Sequence, residues 1–384
     1  MDPASRLDTL AVHAGMPSPR PGGAVAIPLY LSSSYDPGDA GSYDDLRYPR
    51  LNNTPTQLAA AARVAALEGA EAGLITASGM AAITTATLEA LGEGGHLIAQ
   101  DTLYSGTFKF FAHELSRFGC AVDFVDATRP ETWAAALRPN TRAFYTEALT
   151  NPLIQVADHQ AVAAFARAHG LLAMIDATFA TPVVFRPLAA GYDLVLHSAT
   201  KYLNGHSDLV AGAVAGSEAL VGRVRGRLNL LGGSLDPFGC YMLARGLSTL
   251  GLRVRQQGAN ALALARLLEG HPAVRRVHHP GLEASPHHER AKASFTGFGA
   301  MLSFETHSAE AAARFVTRLR LAVRALSLGG VETLVTRPAA TTHMGLSPEE
   351  RARQGISDAL IRVSVGIEDI ADLSADFTQA LEGL

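Results

Sequence analysis

Short apolar runs alternate with helix-like stretches along the chain up to about residue 245. Runs of four or five mostly apolar residues, which are typical of buried strands, occur at 73–77, 96–100, 121–125, 143–146, 171–175 and 194–197. Helical segments separate several of these runs, most clearly 158–169, which ends at Gly170. Buried strands alternating with helices predict an α/β fold, with a mostly parallel sheet covered on both faces.

The same pattern predicts where a ligand binds before any motif is considered. In an open α/β sheet, ligands bind beyond the carboxyl ends of the strands. The polar residues that follow the predicted strands are therefore the candidate site, and they lie at 78–79, 101–104, 147–151, 176–178 and 198–201.

The chain divides into three predicted regions. Residues 1–50 are rich in Pro, Gly, Ser and Tyr without a sustained period, which is typical of an extended arm. Residues 51–246 form the large domain, whose first helix is predicted to begin with Thr56 as its N-cap. From 247 to 384 the pattern changes to a long helix at 250–268, a strand at 299–304 and a helix at 308–319. This pattern predicts a smaller C-terminal α+β domain, and 384 residues exceed what one core usually supports.

Composition narrows the class of protein. The chain is 48% hydrophobic and 18% charged, and its net charge of −4 without a basic block gives no footprint for nucleic acid. No signal peptide or membrane span is recognisable, and the two cysteines cannot form a disulfide framework. We therefore predict a cytoplasmic protein that binds neither nucleic acid nor a membrane.

Lysine is scarce, since 32 basic residues include only Lys109, Lys201 and Lys292. Lys201 follows an apolar strand and stands among polar, uncharged residues. A lysine there can be partly desolvated, which lowers its pKa and leaves a neutral amine able to form a Schiff base. Ser198 and Thr200 could bind a phosphate beside it. The alternative is a solvated surface lysine, the usual fate of this residue type.

Three other segments carry candidate chemistry. Asp176 closes a strand, and a buried carboxylate needs a cation such as a protonated pyridine nitrogen, although a turn or N-cap aspartate is the alternative. The strand-turn-helix at Ser78, Gly79 and Met80 suits a phosphate. Tyr104 could stack on a planar cofactor or pass a proton, whereas a buried structural tyrosine is the alternative.

Two pairs of adjacent histidines, 278–279 and 287–288, raise the possibility of a metal site. Adjacent positions do not share a helix face, and no thiol or carboxylate cluster accompanies them. We therefore predict that these histidines lie in solvated loops and that the protein has no metal site.

Together these motifs resemble the Cys/Met-metabolism family of pyridoxal phosphate (PLP) enzymes. That family includes cystathionine γ-synthase, cystathionine γ- and β-lyases, methionine γ-lyase and O-acylhomoserine sulfhydrylase. The resemblance spans nearly the whole chain, and the lysine motif is its most specific part. The matching segments are Tyr48-Pro-Arg50, 78–80, Tyr104 with 106–107, Asn151-Pro152, 176–179, 198–208, 245–247, 327–330 and 362–368.

The resemblance implies a fold type I PLP enzyme and a role for each matching residue. Lys201 would hold the cofactor and move protons on the substrate. Asp176 would keep the pyridine nitrogen protonated, and Tyr104 would stack on the ring. The phosphate would be bound by Gly79, Met80, Ser198 and Thr200, with Tyr48 and Arg50 reaching it from a neighbouring subunit. Arg362 would bind the substrate carboxylate, assisted by Asn151 and the main chain at Ser327.

The resemblance also implies a homotetramer built as a dimer of dimers, with a small amino acid as substrate. Two positions depart from the pattern of cystathionine-handling members, which commonly have acidic residues where this chain has Leu326 and Arg47. A leucine cannot pair with the distal ammonium group of cystathionine. We predict γ-elimination or γ-replacement on a sulfur-containing or O-acylated amino acid, as in cystathionine γ-synthase or γ-lyase.

Other activities stay open from the sequence. Within the family, O-acylhomoserine sulfhydrylase or methionine γ-lyase activity is the next candidate, followed by cystathionine β-lyase activity. From a different class, the chain could be a catalytically inactive binding protein with the same fold. A dinucleotide-dependent oxidoreductase is disfavoured because the glycine fingerprint G-x-G-x-x-G is absent.

Overall fold

Two β-sheets organise the chain. The structure is a computed structural model that describes residues 5–345 and 347–384. The first four residues of the predicted N-terminal arm lie outside this range. In the described part of the arm, residues 14–42 contain no strand and no helix longer than a single turn. Helix α1 (Leu7–His13) precedes this irregular stretch, and the assignment of residues 1–50 as an arm stays a prediction.

The larger sheet has seven strands within the described residues. They are β1 (Ala72–Thr76), β2 (His96–Gln100), β3 (Ala121–Val125), β4 (Thr141–Glu147), β5 (Leu172–Asp176), β6 (Leu194–His197) and β7 (Gly212–Gly216). The accompanying helices are α1 (Leu7–His13), α2 (Pro55–Glu68), α3 (Gly79–Leu91), α4 (Ser105–Lys109), α5 (His159–Ala168), α6 (Thr181–Val184), α7 (Glu218–Leu231) and α8 (Pro237–Leu247). The six predicted strands match β1 to β6 to within two residues at either end.

The sheet is mostly parallel, as predicted. Its strand order is β1-β7-β6-β5-β4-β2-β3. The last five strands in this order, β6, β5, β4, β2 and β3, are parallel to one another. Strand β7 runs antiparallel to both β6 and β1. The sequence pattern missed β7 because its small residues do not form an obvious apolar run. Small residues are needed there, since a Cβ at Gly212 would lie 2.1 Å from the main-chain oxygen of Ser78.

Both faces of this sheet are buried. Alternate residues of each strand point to opposite faces, so Ile175 and Met174 belong to two different hydrophobic cores. The core that contains Ile175 includes buried residues of α2, α5 and α8. The core that contains Met174 includes buried residues of α3 and α7. Because both faces are covered, the open edge at the strand ends is where the sheet meets solvent or a ligand.

The smaller sheet lies in the C-terminal part of the chain and has the order β10-β11-β12-β9-β8. Its strands are β8 (Val274–His278), β9 (Met301–Thr306), β10 (Val323–Arg324), β11 (Leu334–Thr336) and β12 (Leu360–Ser364). The helices of this part are α9 (Leu250–Glu269), α10 (His288–Ser294), α11 (Ala309–Arg318), α12 (Pro348–Arg353) and α13 (Ile370–Leu381). A third core joins α9, α11 and α13 to this sheet. The domain boundary at 246/247 stays a prediction.

The predicted N-cap of the first helix of the large domain is wrong. Helix α2 begins at Pro55, with Thr54 as the preceding residue. The hydroxyl of Thr56 instead donates to the carbonyl of Pro28 at 3.1 Å and accepts the Tyr30 N–H at 3.0 Å. Proline at the first helical position needs no hydrogen-bond partner for its nitrogen, and the helix begins two residues earlier than predicted. Thr56 thereby fixes the N-terminal arm against α2.

The prediction that the paired histidines lie in solvated loops is also wrong. His278 is in strand β8, where its Nε2 lies 3.1 Å from Glu305. His279 is buried, and this burial lowers its pKa to about 4. His287 is half-buried with a pKa lowered to about 4, chiefly by burial, and the ring of His288 stacks on Phe298. These rings are packed into the C-terminal domain because imidazole can fill space among apolar neighbours as well as accept hydrogen bonds.

Among the described residues, no helix combines the length and the hydropathy that a bilayer-spanning segment requires.

Candidate active site

A cavity of about 430 Å³ opens at the carboxyl ends of the parallel strands. All five strand-end segments that the sequence pattern singled out contribute to it. Residues from the C-terminal part of the chain complete it. The lining residues are Ser78, Gly79, Met80, Ile83, Tyr104, Glu147, Leu149, Asn151, Asp176, Thr178, Phe179, Ser198, Thr200, Lys201, Val210, Leu326, Ser327, Leu328, Thr342 and Arg362. The structure thus brings most of the candidate residues to one place.

Lys201 enters the cavity from the turn that follows β6. This strand is fully buried, and the turn is held by the Lys201 N–H, which donates to the carbonyl of Ser198 at 3.1 Å. The Lys201 amine donates to the hydroxyl of Ser327 at 2.8 Å. Burial, and to a smaller extent the nearby positive charge of Arg362, lower the pKa of Lys201 to about 8. A sizeable fraction of the amine is therefore neutral near physiological pH.

Asp176 is the last residue of β5 and is buried. Its Oδ1 accepts the Thr178 N–H at 2.8 Å, and burial raises its pKa despite this hydrogen bond. No cationic side chain of the described residues forms an ion pair with it. A buried carboxylate in this position is best stabilised by a cation that comes with a ligand. A protonated ring nitrogen has the required charge.

Another part of the cavity lining is a small-residue turn at the start of α3. The Ser78 hydroxyl caps this helix by accepting the Ala81 N–H at 3.1 Å. A Cβ at Gly79 would lie 2.7 Å from the Cβ of Ser198, so only glycine allows the two turns to approach this closely. Main-chain N–H groups at the start of a helix, with serine hydroxyls beside them, suit a phosphate. The Ser198 N–H itself donates to the Thr178 hydroxyl at 2.8 Å.

Thr200 also lines the cavity, but its side chain is partly used within the protein. Its hydroxyl donates to the carbonyl of Ala211 and accepts the Ala211 N–H, both at 3.0 Å. These contacts fix the turn before Lys201 against the start of β7. Thr200 therefore positions the lysine turn, and its predicted contact with the phosphate stays a prediction.

Arg362 lies on β12 and is 3% exposed. Its guanidinium donates to the side-chain oxygen of Asn151 at 3.1 Å and to the carbonyl of Ser327 at 2.9 Å. Its Nε has no partner among the described residues. Burial lowers the pKa of Arg362 to about 10, while Tyr202 and Tyr104 act to raise it. With no carboxylate partner within the described chain, this guanidinium is available to the carboxylate of a ligand.

Ser327 joins the lysine and the arginine. Its hydroxyl accepts from Lys201, and its carbonyl accepts from Arg362. Its φ of +83° lies in the left-handed region, which is uncommon for a residue other than glycine. Strain of this kind is often found at functional sites. The strained main chain here directs both Ser327 oxygens toward the two cationic side chains.

Tyr104 precedes α4 and is 43% exposed, with its ring beside the cavity. A Cβ at Gly106 would lie 2.6 Å from the Tyr104 ring and 3.2 Å from the sulfur of Met80. The ring therefore packs over Gly106 next to Met80. Its position at the cavity agrees with the stacking role that the resemblance implies.

Sequence reasoning assigned no role to Glu147 and Thr178, although both lie in segments named from the strand-end rule. Thr178 connects Asp176 to Ser198 through its N–H and its hydroxyl. Glu147 ends β4 directly beside the end of β5, and its carboxyl is buried at the cavity. The sequence contained a signal for Glu147, because it is an acidic residue at the end of a predicted buried strand. The same pattern singled out Asp176.

Two predicted residues, Tyr48 and Arg50, lie outside the cavity formed by a single chain. Tyr48 is 42% exposed. The Arg50 guanidinium donates to the carbonyl of Asn229 at 2.9 Å and to the hydroxyl of Tyr43 at 2.6 Å. Neither residue lines the cavity, so their role toward a neighbouring subunit stays a prediction. Lys109, one of the three lysines, is also not a lining residue of this cavity, and its amine faces Gly345.

The chain was compared with known proteins. The model of the family described as "Cys/Met metabolism PLP-dependent enzyme" matches residues 8–382. The chain is 43% identical to cystathionine γ-lyase of Bacillus subtilis over 98% of its own length and 99% of that protein. It is 41% identical to L-methionine γ-lyase of Porphyromonas gingivalis, with 98% and 97% of the two chains covered. It is also 41% identical to cystathionine β-lyase of Lactococcus lactis, with coverages of 98% and 99%.

A solved structure supports the same relationship. The crystal structure of cystathionine γ-lyase from Lactobacillus plantarum complexed with L-serine superposes with a TM-score of 0.93. It is 38% identical in sequence, and the match covers 98% of each chain. The similarity therefore extends to both sheets.

The cavity fits pyridoxal phosphate on the basis of its own chemistry. A primary amine with a lowered pKa suits the aldehyde, and the turn at Gly79 suits the phosphate. A buried carboxylate that forms no ion pair with a lysine or arginine of the described residues suits the pyridine nitrogen. The unpaired guanidinium of Arg362 suits the carboxylate of an amino acid. On the sequence match, the structural match and this chemistry, the chain belongs to the Cys/Met-metabolism family of PLP-dependent enzymes.

Proposed function

We propose that the protein catalyses γ-elimination or γ-replacement on a sulfur-containing or O-acylated amino acid. One observation carries this proposal: Lys201 and Arg362 both donate hydrogen bonds to Ser327, one to its hydroxyl and the other to its carbonyl. The Lys201 amine is partly neutral, and Arg362 has no carboxylate partner among the described residues. A proton-moving amine and a carboxylate-binding group thus act on the same bound amino acid. This arrangement suits chemistry that begins at the α-carbon.

The chain's own residues divide the work of such a reaction. When bound, PLP supplies an electron sink for the negative charge that develops at the substrate α-carbon. Arg362 binds the α-carboxylate and orients the substrate, with Asn151 and the Ser327 carbonyl fixing the guanidinium. Lys201 removes the α-proton and then delivers and removes protons at the neighbouring carbons. Asp176 holds the pyridine nitrogen in its protonated state.

The relatives support γ-carbon chemistry without deciding it. Cystathionine γ-lyase and L-methionine γ-lyase act at the γ-carbon, as their names state, whereas cystathionine β-lyase is about equally similar to the chain. O-acylhomoserine sulfhydrylase, methionine γ-lyase and cystathionine β-lyase activities are therefore the alternatives. An inactive binding protein is disfavoured, because Lys201, Asp176, Tyr104 and Arg362 all meet at one cavity.

The entrance of the cavity suits a substrate whose distal end carries no charge. Leu326 lines the cavity and is 58% exposed, so its side chain faces the space that the distal part of a substrate would fill. A leucine offers apolar contact and cannot neutralise an ammonium group. A substrate with an apolar or acylated distal end therefore fits beside Leu326 without leaving a charge unpaired there.

We further propose that the active form is a cytoplasmic homotetramer made of two dimers, with Tyr48 and Arg50 serving the phosphate site of the neighbouring subunit. Both side chains lie outside their own cavity. The aromatic ring of Tyr48 and the half-buried Arg50 face each other, with the guanidinium carbon 5.6 Å from the ring centre. The family resemblance, together with the position of both side chains outside their own cavity, supports this proposal.

The first prediction concerns the pKa of Lys201. The rate constant for capture of PLP by the apoprotein should rise with pH with a midpoint near pH 8, since burial and Arg362 lower the pKa of this lysine to about 8. It should level off above about pH 9, where most of the amine is neutral. Below the pKa, the neutral fraction falls by about tenfold for each pH unit. Stopped-flow absorbance measures the rate. Lys201→Arg should show no capture, and a wild-type rate that still rises at pH 10 would contradict the lowered pKa.

The second prediction concerns the reaction. Purified protein should be yellow and should release 2-oxobutyrate from methionine or from an O-acylated homoserine, measured by product identification. Lys201→Ala should lower kcat by about a thousandfold, because it removes the proton-transferring group. Lys292→Ala is the matched control, since Lys292 is 53% exposed and pairs with Glu289. Pyruvate from cystathionine as the sole product, without γ-replacement of O-acylhomoserine, would overturn the proposed order of activities.

The third prediction concerns Leu326. Leu326→Glu should raise kcat/KM for cystathionine relative to methionine by about fivefold, because a partly exposed carboxylate gains up to ~1 kcal/mol from an ammonium partner. Leu326→Gln has the same length without the charge and should show no such preference. Equal effects of the two substitutions would show that charge at this position does not select the substrate.

The fourth prediction concerns assembly. Mixing Arg50→Ala and Lys201→Ala proteins should restore part of the activity, because a hybrid dimer contains one site with both residues intact. The measurement compares activity before and after subunit exchange, with exchange verified by mass spectrometry of differently tagged subunits. Exchange without recovery of activity would refute the shared site.

A further inference from the structure

Glu147 is a buried carboxyl at the cavity to which the proposed function assigns no role. It is 5% exposed and ends β4, where its register partner on β5 is Asp176. Burial raises the pKa of both carboxyls, and the neighbouring charge of Asp176 raises that of Glu147 further. Two negative charges at adjacent strand ends would repel each other, so one carboxyl of the pair keeps its proton. Asp176 has a cationic partner in the bound cofactor, which makes Glu147 the one that stays neutral.

Glu147 forms hydrogen bonds with the loop that joins β2 to α4 and with the end of β2. Its Oε1 accepts the main-chain N–H of Tyr104 at 2.6 Å. Its own main-chain N–H donates to the side-chain oxygen of Gln100 at 3.1 Å. The Gln100 amide nitrogen in turn donates to the carbonyl of Thr102 at 3.2 Å. These three bonds fasten the loop between β2 and α4 to the end of β4.

The Tyr104 ring needs such an anchor. With 43% of its surface exposed, the ring is not held by the hydrophobic core. Its neighbours on one side are Gly106 and the flexible side chain of Met80. The place of the ring therefore depends on where the main chain of Tyr104 is fixed. The bond to Glu147 is the contact from another strand of the sheet that fixes this N–H.

We propose that Glu147 is a positioning residue, which holds the main chain of Tyr104 so that the aromatic ring faces the cofactor. The inference rests on the proposed cofactor pocket and concerns how that pocket is kept in shape. Glu147 acts through Tyr104, and the acceptor oxygen of its side chain is the feature that matters. A neutral glutamine keeps that oxygen, whereas leucine or methionine removes it.

The experiment measures binding of PLP to the apoprotein and the visible circular dichroism of the bound cofactor, which reports the ring beside it. Glu147→Gln should keep the dissociation constant within about twofold of wild type. Glu147→Leu should weaken binding by about tenfold, the usual effect of leaving a buried N–H without its acceptor, and should change the dichroism. Glu147→Met is the second apolar variant if the leucine variant does not fold.

Thr306→Val is the matched structural control. Thr306 is buried in β9, and its hydroxyl donates to the carbonyl of Ser308 at 2.8 Å, away from the cavity. This variant also loses one buried hydrogen bond, so it should lower the thermal midpoint of unfolding. It should leave the PLP dissociation constant and the dichroism unchanged. If Thr306→Val weakens PLP binding as much as Glu147→Leu does, a general loss of stability explains both and the proposal fails.

A double-mutant cycle tests whether Glu147 acts through Tyr104. In a Tyr104→Ala background, Glu147→Leu should change the PLP dissociation constant by less than about twofold, because the ring that it positions is gone. Additive effects of the two substitutions would overturn the inference. Failure of the wild-type protein to bind PLP would instead overturn the cofactor pocket itself, and with it the proposed function. Normal binding by both Glu147→Leu and Glu147→Gln would overturn the positioning role alone.

Discussion

The site depends on buried charged groups that form no ion pair with another side chain of the described residues. Asp176 is 8% exposed and Arg362 is 3% exposed, and their hydrogen-bond partners are neutral main-chain and amide groups. Burial of an unpaired charge is costly. The cost is reduced when a ligand brings a pyridinium to one group and a carboxylate to the other. Cofactor and substrate therefore complete the electrostatics of the folded chain.

Burial of a charged group also determines the reactivity of Lys201. In water its amine would be protonated, but burial and the nearby guanidinium lower its pKa to about 8. In the proposed reaction one arginine thus serves two purposes, since Arg362 would bind the substrate carboxylate and also destabilises the charged form of the lysine. Ser327, with its strained main chain, holds both side chains through separate oxygens. A change at this residue affects binding and proton transfer together.

Close approach of main chains makes this arrangement possible. Gly79 lets the turn at the start of α3 meet the turn that follows β6, and Gly212 lets β7 lie against Ser78. Around this frame, the C-terminal part of the chain contributes Leu326 and Thr342 to the lining of the same cavity.

The sequence by itself determined the sheet and the edge that carries the site. Apolar runs bounded by polar residues specify buried parallel strands, and the carboxyl ends of such strands must meet at one edge. The strand-end segments at 78–79, 101–104, 147–151, 176–178 and 198–201 therefore converge as expected. The motif at Lys201 was specific enough to indicate the family.

Only the tertiary structure decided features that depend on residues distant in the chain. The hydrophobic pattern did not predict strand β7, because this strand consists of small residues. Small residues are needed there since β7 packs closely against Ser78, and the local sequence does not show this contact. The histidine pairs look solvated in the sequence, but their burial comes from packing against elements far along the chain. The bond between Glu147 and Tyr104 joins residues 43 positions apart. Hydrophobic periodicity reports which face of an element is buried, and it carries no information about which polar atoms meet across the fold.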